Sequence, residues 1–357
     1  MIRRLRRKVR TLRRNPAASI RELRDRLDKL DIVQFGLRRA IVGLRVRHHS
    51  GPKAVAGGLR DPIVFCLLRN GMPWLEAFLH HHRALGFRHF VMLDNGSSDG
   101  TFEALTGLRD VTLLQTNAPY KAYENTLKRY LVDRFGRDRW CLFVDIDEQF
   151  DWPLRASVPL ERLVFYLETT GANCVITQML DMFADRPLAD MTIRGQHELL
   201  GAFPFYELSN IRRQRYHLGD AAPVEMHWGG IRKALFGTDN GLTKVSLFRN
   251  TRGLSPFTEW HHVRRGRFSD MSSVLYHFPF ESGFVAKVRE AIESGRYGYH
   301  TTQEYVAYGR GTKDAELRIT SPDAIRFKGT DALIDQGFLK VSDRYRAFAQ
   351  CTQTVEL

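Results

Sequence analysis

The sequence predicts an α/β protein built on a mainly parallel sheet with helices on both faces, preceded by a basic helical arm. Two observations predict it. Between Ile63 and Phe150, short apolar runs alternate four times with stretches of helical spacing. Such alternation is what a parallel sheet with crossover helices requires. The second observation concerns the ends of the runs, which are Arg69-Asn70-Gly71, Asp94-Asn95-Gly96 and Asp145-Ile146-Asp147. In sheets of this kind ligands bind at the carboxyl ends of the strands.

The elements follow in order. Ile63 to Leu68 is a buried strand running into a turn. Pro73 suits the first turn of a helix, where its missing amide is no loss. Trp74, Leu75, Phe78, Leu79, His82 and Leu85 recur at helical spacing, and Gly86 closes the segment. His89 to Leu93 is the next strand, and Asp94 to Thr101 is a dense turn signal. A helix follows to about Leu108, then a strand over Val111 to Leu114, then a helix from about Tyr120 to Phe135. Trp140 to Val144 is the fourth strand. Further along, Cys174 to Leu180 and Ser272 to Tyr276 read as strands, and the tail beyond Phe280 alternates helical stretches.

The fourth strand ends in Asp145-Ile146-Asp147-Glu148. In an extended chain, side chains at i and i+2 point the same way, so Asp145 and Asp147 are expected to converge while Ile146 turns inward. Two carboxylates at one point repel unless a cation sits between them. Hard, oxygen-seeking Mg²⁺ or Mn²⁺ suits such a pair and commonly bridges to a substrate phosphate.

The segment from Ile63 to Phe150 resembles the glycosyltransferase family 2 superfamily, and most closely a family-2-like branch found in bacterial surface-polysaccharide loci. The likeness is carried by Leu68-Arg69-Asn70-Gly71 with the Trp74 to Gly86 helix, by Leu93 to Thr101, by Phe143 to Phe150, and by Trp228-Gly229-Gly230-Ile231-Arg232-Lys233. With Lys244 and Tyr276-His277-Phe278 it spans about Pro62 to Tyr308. The resemblance implies the GT-A type of nucleotide-sugar-binding fold, a nucleotide-sugar donor, a glycan or lipid-linked acceptor, and inversion at the transferred sugar. One departure is visible: family members commonly carry Glu where this chain has Gly71.

The resemblance also implies roles. Asp94 matches a carboxylate that meets the nucleotide base or ribose, although a turn-initiating Asp bonded to its own backbone has the same signature. Arg69 is a strand-end cation suited to phosphate or base. Lys121 opens the helix before the fourth strand and is a candidate donor contact. Arg232 and Lys244 are candidate contacts to the diphosphate leaving group, Arg232 following a Gly-Gly pair that allows close backbone approach. His277 follows a late strand and is a candidate third metal ligand beside Asp145 and Asp147; an imidazole would favour Mn²⁺ over Mg²⁺. Asp181 ends the strand after Cys174, and Asp181 or Glu225 is the expected general base for the acceptor hydroxyl, with Glu259 also in view.

The remaining chain bounds the picture. Its 357 residues, 43% hydrophobic and 26% charged, fit one large domain with appendages. The expected division is a basic arm and linker over 1–58, a transferase domain over 59–310 and an extension over 311–357. No apolar run reaches membrane-spanning length, and the basic start lacks the apolar stretch of a secretory signal. Cys66, Cys141, Cys174 and Cys351 show no metal spacing and read as reduced thiols of a cytoplasmic protein.

The formal net charge of +14 gathers strongly in the first fifty residues. Ile20, Leu23, Leu27, Leu30, Gln34, Leu37, Ile41 and Leu44 then form a heptad seam. Three uses fit it: docking on the catalytic domain, homodimer pairing as a coiled coil, or peripheral binding of residues 1–47 to an anionic membrane surface. Two other functional classes bear on the same features. A nucleic-acid-binding protein would use the arginines on a phosphate backbone. No nucleic-acid-binding motif accompanies them, so no nucleic-acid partner is expected. A nucleotide-sugar-binding protein without catalysis would not need Asp145 and Asp147 intact.

Overall fold

The computed structural model describes residues 38–351, apart from 56, 196, 218–222, 258–262, 295–297 and 313–316. The arginine cluster, most of the heptad seam and Glu259 lie outside the described residues.

The first half of the chain supplies β1 (Arg47–Ser50), β2 (Ile63–Leu68), α1 (Met72–Ala84), β3 (Phe90–Asp94), α2 (Thr101–Leu105), β4 (Val111–Gln115), α3 (Tyr120–Phe135) and β5 (Trp140–Phe143). Next come β6 (Glu148–Asp151), α4 (Leu160–Thr169) and β7 (Cys174–Asp181). The second half adds the hairpin β8 (Ile211–His217) and β9 (Pro223–Gly229), then α5 (Ile231–Phe236), β10 (Thr243–Lys244), β11 (Leu247–Arg249), β12 (Phe268–His277), α6 (Phe284–Ser294), α7 (Gly298–Gly311) and α8 (Asp343–Gln350).

The fold class is the expected one. A ten-stranded sheet runs in the order β1-β4-β3-β2-β5-β11-β7-β12-β6, with β10 paired to β7. Strands β4, β3, β2 and β5 are mutually parallel, and so are β7 and β12. The antiparallel β11 sits between β5 and β7 and joins the two parallel groups into one sheet.

The central strands are apolar on both faces because both faces are covered. Val64, Cys66 and Leu68 pack with Leu75, Phe78 and Leu79 of α1 and Leu163 and Leu167 of α4. Ile63, Phe65 and Leu67 point the other way, onto Leu127, Leu131 and Phe135 of α3. Burying each such side chain contributes about 1.5–3 kcal/mol. Helix α1 stops because Gly86 adopts φ +100°, and the amides of Gly86 and Phe87 return to the carbonyls of Arg83 and His82. Cys66, Cys141 and Cys174 are buried free thiols within strands.

The ends of the chain fold onto this body. Residues 47–50, counted with the arm in the sequence, form β1 and pair antiparallel with β4. At the other end Tyr345 of α8 is buried in the core and donates to the Pro153 carbonyl at 2.9 Å. No helix among the described residues is long and apolar enough to cross a membrane.

Candidate active site

The carboxyl ends of the strands open into a cleft of about 850 Å³. Strand pairing assembles its floor. In the parallel pair β7 and β12, His277 lies opposite Asp181, and on the other edge of β12 it lies opposite Glu148 of β6. Three residues distant in sequence thus meet at the ends of adjacent strands. On β10, Lys244 is in register with Thr177 of β7, which carries its ammonium to the same rim.

Asp145 and Asp147 both line the cleft, but not as an extended i, i+2 pair. Strand β5 ends at Phe143, and residues 145–148 form a turn closed by the Glu148 amide on the Asp145 carbonyl at 3.1 Å. The turn separates the partners of the two carboxylates. Asp145 Oδ2 accepts from Lys244 Nζ at 2.8 Å, whereas Asp147 Oδ2 lies 3.5 Å from His277 Nε2 and 3.7 Å from Lys287 Nζ. Ile146 turns inward as expected and packs between two core clusters.

Charge fixes the ionisation of this floor. Burial favours neutral acids, yet Lys244 and Lys128 outweigh it and lower the pKa of Asp145 to about 2. Asp147 is likewise held well below the carboxylate range, against burial, by His277 and Lys287. Glu148 behaves differently. It is 1% exposed, and burial raises its pKa, although its Oε1 accepts from Lys244 Nζ at 2.5 Å. Burial disfavours the charged ring of His277, but Asp147 and Asp181 on its two sides raise its pKa to about 9.

Gly71 lies behind this floor, against Ile146. A Cβ there would lie 2.8 Å from Ile146 Cγ1, so any side chain must displace the centre of the acidic turn. Gly71→Ala is expected to cost about 1–3 kcal/mol, the usual penalty for overpacking. It should also lower whatever activity depends on Asp145 and Asp147. Urea unfolding of the variant beside the wild type checks the first figure. The Glu common at this position in the resembling family would not fit without moving Ile146.

The other expected site residues divide into two groups. Arg69, Lys121, Arg232, Lys244 and His277 line the cleft. Asp94, Asp181 and Glu225 are not among its lining residues. Asp94 is fully buried, and its carboxylate accepts from the amides of Gly96 at 2.9 Å and Ser97 at 3.1 Å. It shapes the turn that presents Asn95 and Gly96 to the cleft. Asp181 is 4% exposed, and both its oxygens are engaged. Oδ1 meets His277 Nδ1 at 2.6 Å and Oδ2 accepts from Arg232 Nε at 2.8 Å. Burial notwithstanding, Arg232 and His277 lower its pKa, which makes it a poor proton acceptor. Asp181 thus anchors both Arg232 and His277.

Glu225 sits on β9, away from the cleft lining, held by Lys340 at 3.0 Å and by His227 Nε2 at 3.3 Å. A base for the cleft is not what this position offers. His227 is 1% exposed, and burial lowers its pKa to about 4 despite Glu225. The unfolded ring titrates near its ordinary value, so the unfolded chain binds more protons between the two values. Stability from this group is therefore full above about pH 6.5 and is lost as pH falls to about 4, on the order of 2–3 kcal/mol. Unfolding free energies at pH 7 and pH 4.5 should fall less on acidification for His227→Gln than for the wild type.

Several cleft residues had no clear signal in the sequence. Lys128 stands one turn beyond Glu124 on α3 and donates to it at 2.9 Å. Lys287 reaches in from α6, Glu304 and Tyr308 from α7. Helical spacing places Lys121, Glu124 and Lys128 on one face, which was the available clue. In all, Arg69, Lys121, Lys128, Arg232, Lys244 and Lys287 with His277 face five carboxylates, Glu124, Asp145, Asp147, Glu148 and Glu304. The cationic surplus suits an anionic ligand.

The donor set also bears on a metal. Among the described residues no group of three or more His, Cys, Asp and Glu side chains forms a metal cage. Mg²⁺ and related ions do not need one, since one or two carboxylates plus substrate phosphates suffice. Asp145 and Asp147 are ionised on the cleft floor, and His277 has Nε2 beside Asp147 with Nδ1 fixed by Asp181. A ring held by a carboxylate behind it is the usual support for a metal-binding imidazole. A divalent cation completed by a bound phosphate would need no more from the protein than Asp145 and Asp147.

No protein-family model and no curated protein matches the chain. Among solved structures it is similar to S. aureus TarS, with 13% identity and a TM-score of 0.30 over 70% of this chain. The chain spans 43% of the TarS chain.

Proposed function

We propose that this chain is a metal-dependent glycosyltransferase that moves a sugar from a nucleotide-sugar donor to an acceptor hydroxyl with inversion, in the synthesis of surface polysaccharide or a glycoconjugate. The observation that carries the proposal is the position of Asp145 and Asp147, ionised at the carboxyl end of a parallel strand and facing a cleft with surplus cations. The resemblance in sequence motifs supports the same reading.

In this account the base and ribose of the donor lie near Arg69, Asn95 and Gly96, and the diphosphate lies over the acidic turn. Lys244 has three ammonium hydrogens and spends two on Asp145 and Glu148, leaving one for a phosphate oxygen. Arg232 Nη2 is buried without a hydrogen-bond partner. Such an orphan costs about 1–3 kcal/mol, and a ligand oxygen would satisfy it. Mn²⁺ or Mg²⁺ bound by Asp145, Asp147 and His277 would supply charge neutralisation at the departing diphosphate. Ligation needs the neutral imidazole, so binding there displaces the His277 proton.

A thermal-shift screen of UDP-, GDP-, CMP- and TDP-sugars with and without Mn²⁺ tests the proposal. A sugar nucleotide that raises the melting temperature only with the metal supports it. No shift with any sugar nucleotide, in either condition, would remove it.

A further inference from the structure

Placing Asp181 and Glu225 outside the cleft leaves the acceptor's proton without a destination. Five carboxylates line the cleft, and four of them are engaged by close lysines or by His277. Glu124 accepts from Lys128 at 2.9 Å, Asp145 and Glu148 share Lys244, and Asp147 faces His277 and Lys287. Asp145 and Asp147 are assigned above to the cation, and Glu124 and Glu148 are only 7% and 1% exposed, out of reach of an acceptor.

Glu304 differs. It stands on α7, and its Oε1 accepts a hydrogen bond from the hydroxyl of Tyr308, one turn further on. Its ion-pair partner is Arg232, whose Nη1 lies 3.7 Å away and whose Nε is already committed to Asp181. The Glu304 side chain is 25% exposed, so it meets what enters the cleft. Tyr305 and Tyr308 line the cleft beside it, and aromatic faces are the surfaces on which sugar rings pack. Glu304 is also joined to the acidic turn by contiguous contacts. Arg232 links it to Asp181, Asp181 to His277, and His277 to Asp147. The carboxylate and the metal-binding floor therefore share one chamber.

We propose that Glu304 is the base that takes the proton of the acceptor hydroxyl, with Tyr305 as the wall against which the acceptor sugar packs; this rests on the transferase reading above. The acceptor oxygen forms a bond to the anomeric carbon. The bond from that carbon to the diphosphate oxygen breaks, and its electron pair leaves with the nucleoside diphosphate. The hydroxyl proton passes to Glu304. Tyr308 donates to one carboxylate oxygen and leaves the other for the acceptor.

The test compares the wild type with Glu304→Gln and Glu304→Ala, using the donor found by the thermal-shift screen. Glu304→Gln should bind the donor as the wild type does and transfer sugar about 100-fold or more slowly, the usual worth of a positioned base. With Glu304→Ala, sodium azide should restore donor turnover and yield an inverted glycosyl azide, because azide attacks without losing a proton. Transfer by Glu304→Gln near the wild-type rate would overturn the assignment alone. So would loss of donor binding in step with transfer, the mark of a merely structural role. A wild type that binds no sugar nucleotide would overturn this assignment and the transferase reading together.

Discussion

Asp147→Asn is expected to lower sugar transfer by about 10²–10³-fold in kcat/KM, or about 3–4 kcal/mol of transition-state stabilisation, while the protein stays folded. The replacement keeps the size of the side chain and removes its charge. The carboxylate is held ionised by His277 and Lys287, and its loss leaves the floor of the cleft more cationic and without one metal donor. Asp145→Asn should fall by a similar factor. The double variant should lose little beyond either single one, because a cation shared by both carboxylates is already lost in each single variant. Steady-state kinetics with the donor and Mn²⁺ would check both statements. Full additivity would mean that the two carboxylates serve different partners, as they do in the free protein, where Asp145 holds Lys244 and Asp147 holds His277.

Asp181→Ala is expected to cost stability, about 3–5 kcal/mol, because it leaves the buried guanidinium of Arg232 without its carboxylate. A single residue then releases two others, since His277 Nδ1 loses the same anchor. Chemical denaturation measures the effect directly. A catalytic base on the acceptor side would behave in the opposite way, with stability near that of the wild type and only the rate lost. The comparison therefore separates the role expected for Asp181 from sequence and the role its contacts assign.

The half of the fold from Ile63 to Phe143 was legible because each of its elements is local. Continuous apolar runs mark β2 to β5, helical spacing marks α1 and α3, and Gly86 ends α1 in the way its position suggests. The place of the acidic turn at the cleft was legible, but not its shape. Extended geometry was extrapolated one residue too far, past Phe143, where the chain turns. Glu148–Asp151 was not foreseen as a strand, since its pairing with the end of β12 lies more than a hundred residues away. The same limit hid the partners of Asp181. Asp181 does end a strand at the right rim, yet nothing near it in sequence tells that Arg232 and His277 occupy both of its oxygens. Glu304 carried only a faint signal. The carboxylate gained meaning only once α7 was seen against the cleft.

The structure of the complex with Mn²⁺ and the sugar nucleotide giving the largest thermal shift would test the account most directly. The predicted result is a diphosphate on the floor of the cleft, in contact with Lys244 and beside Asp145 and Asp147. A nucleotide bound at saturation anywhere else on the protein, with the acidic turn and Lys244 untouched, would contradict it.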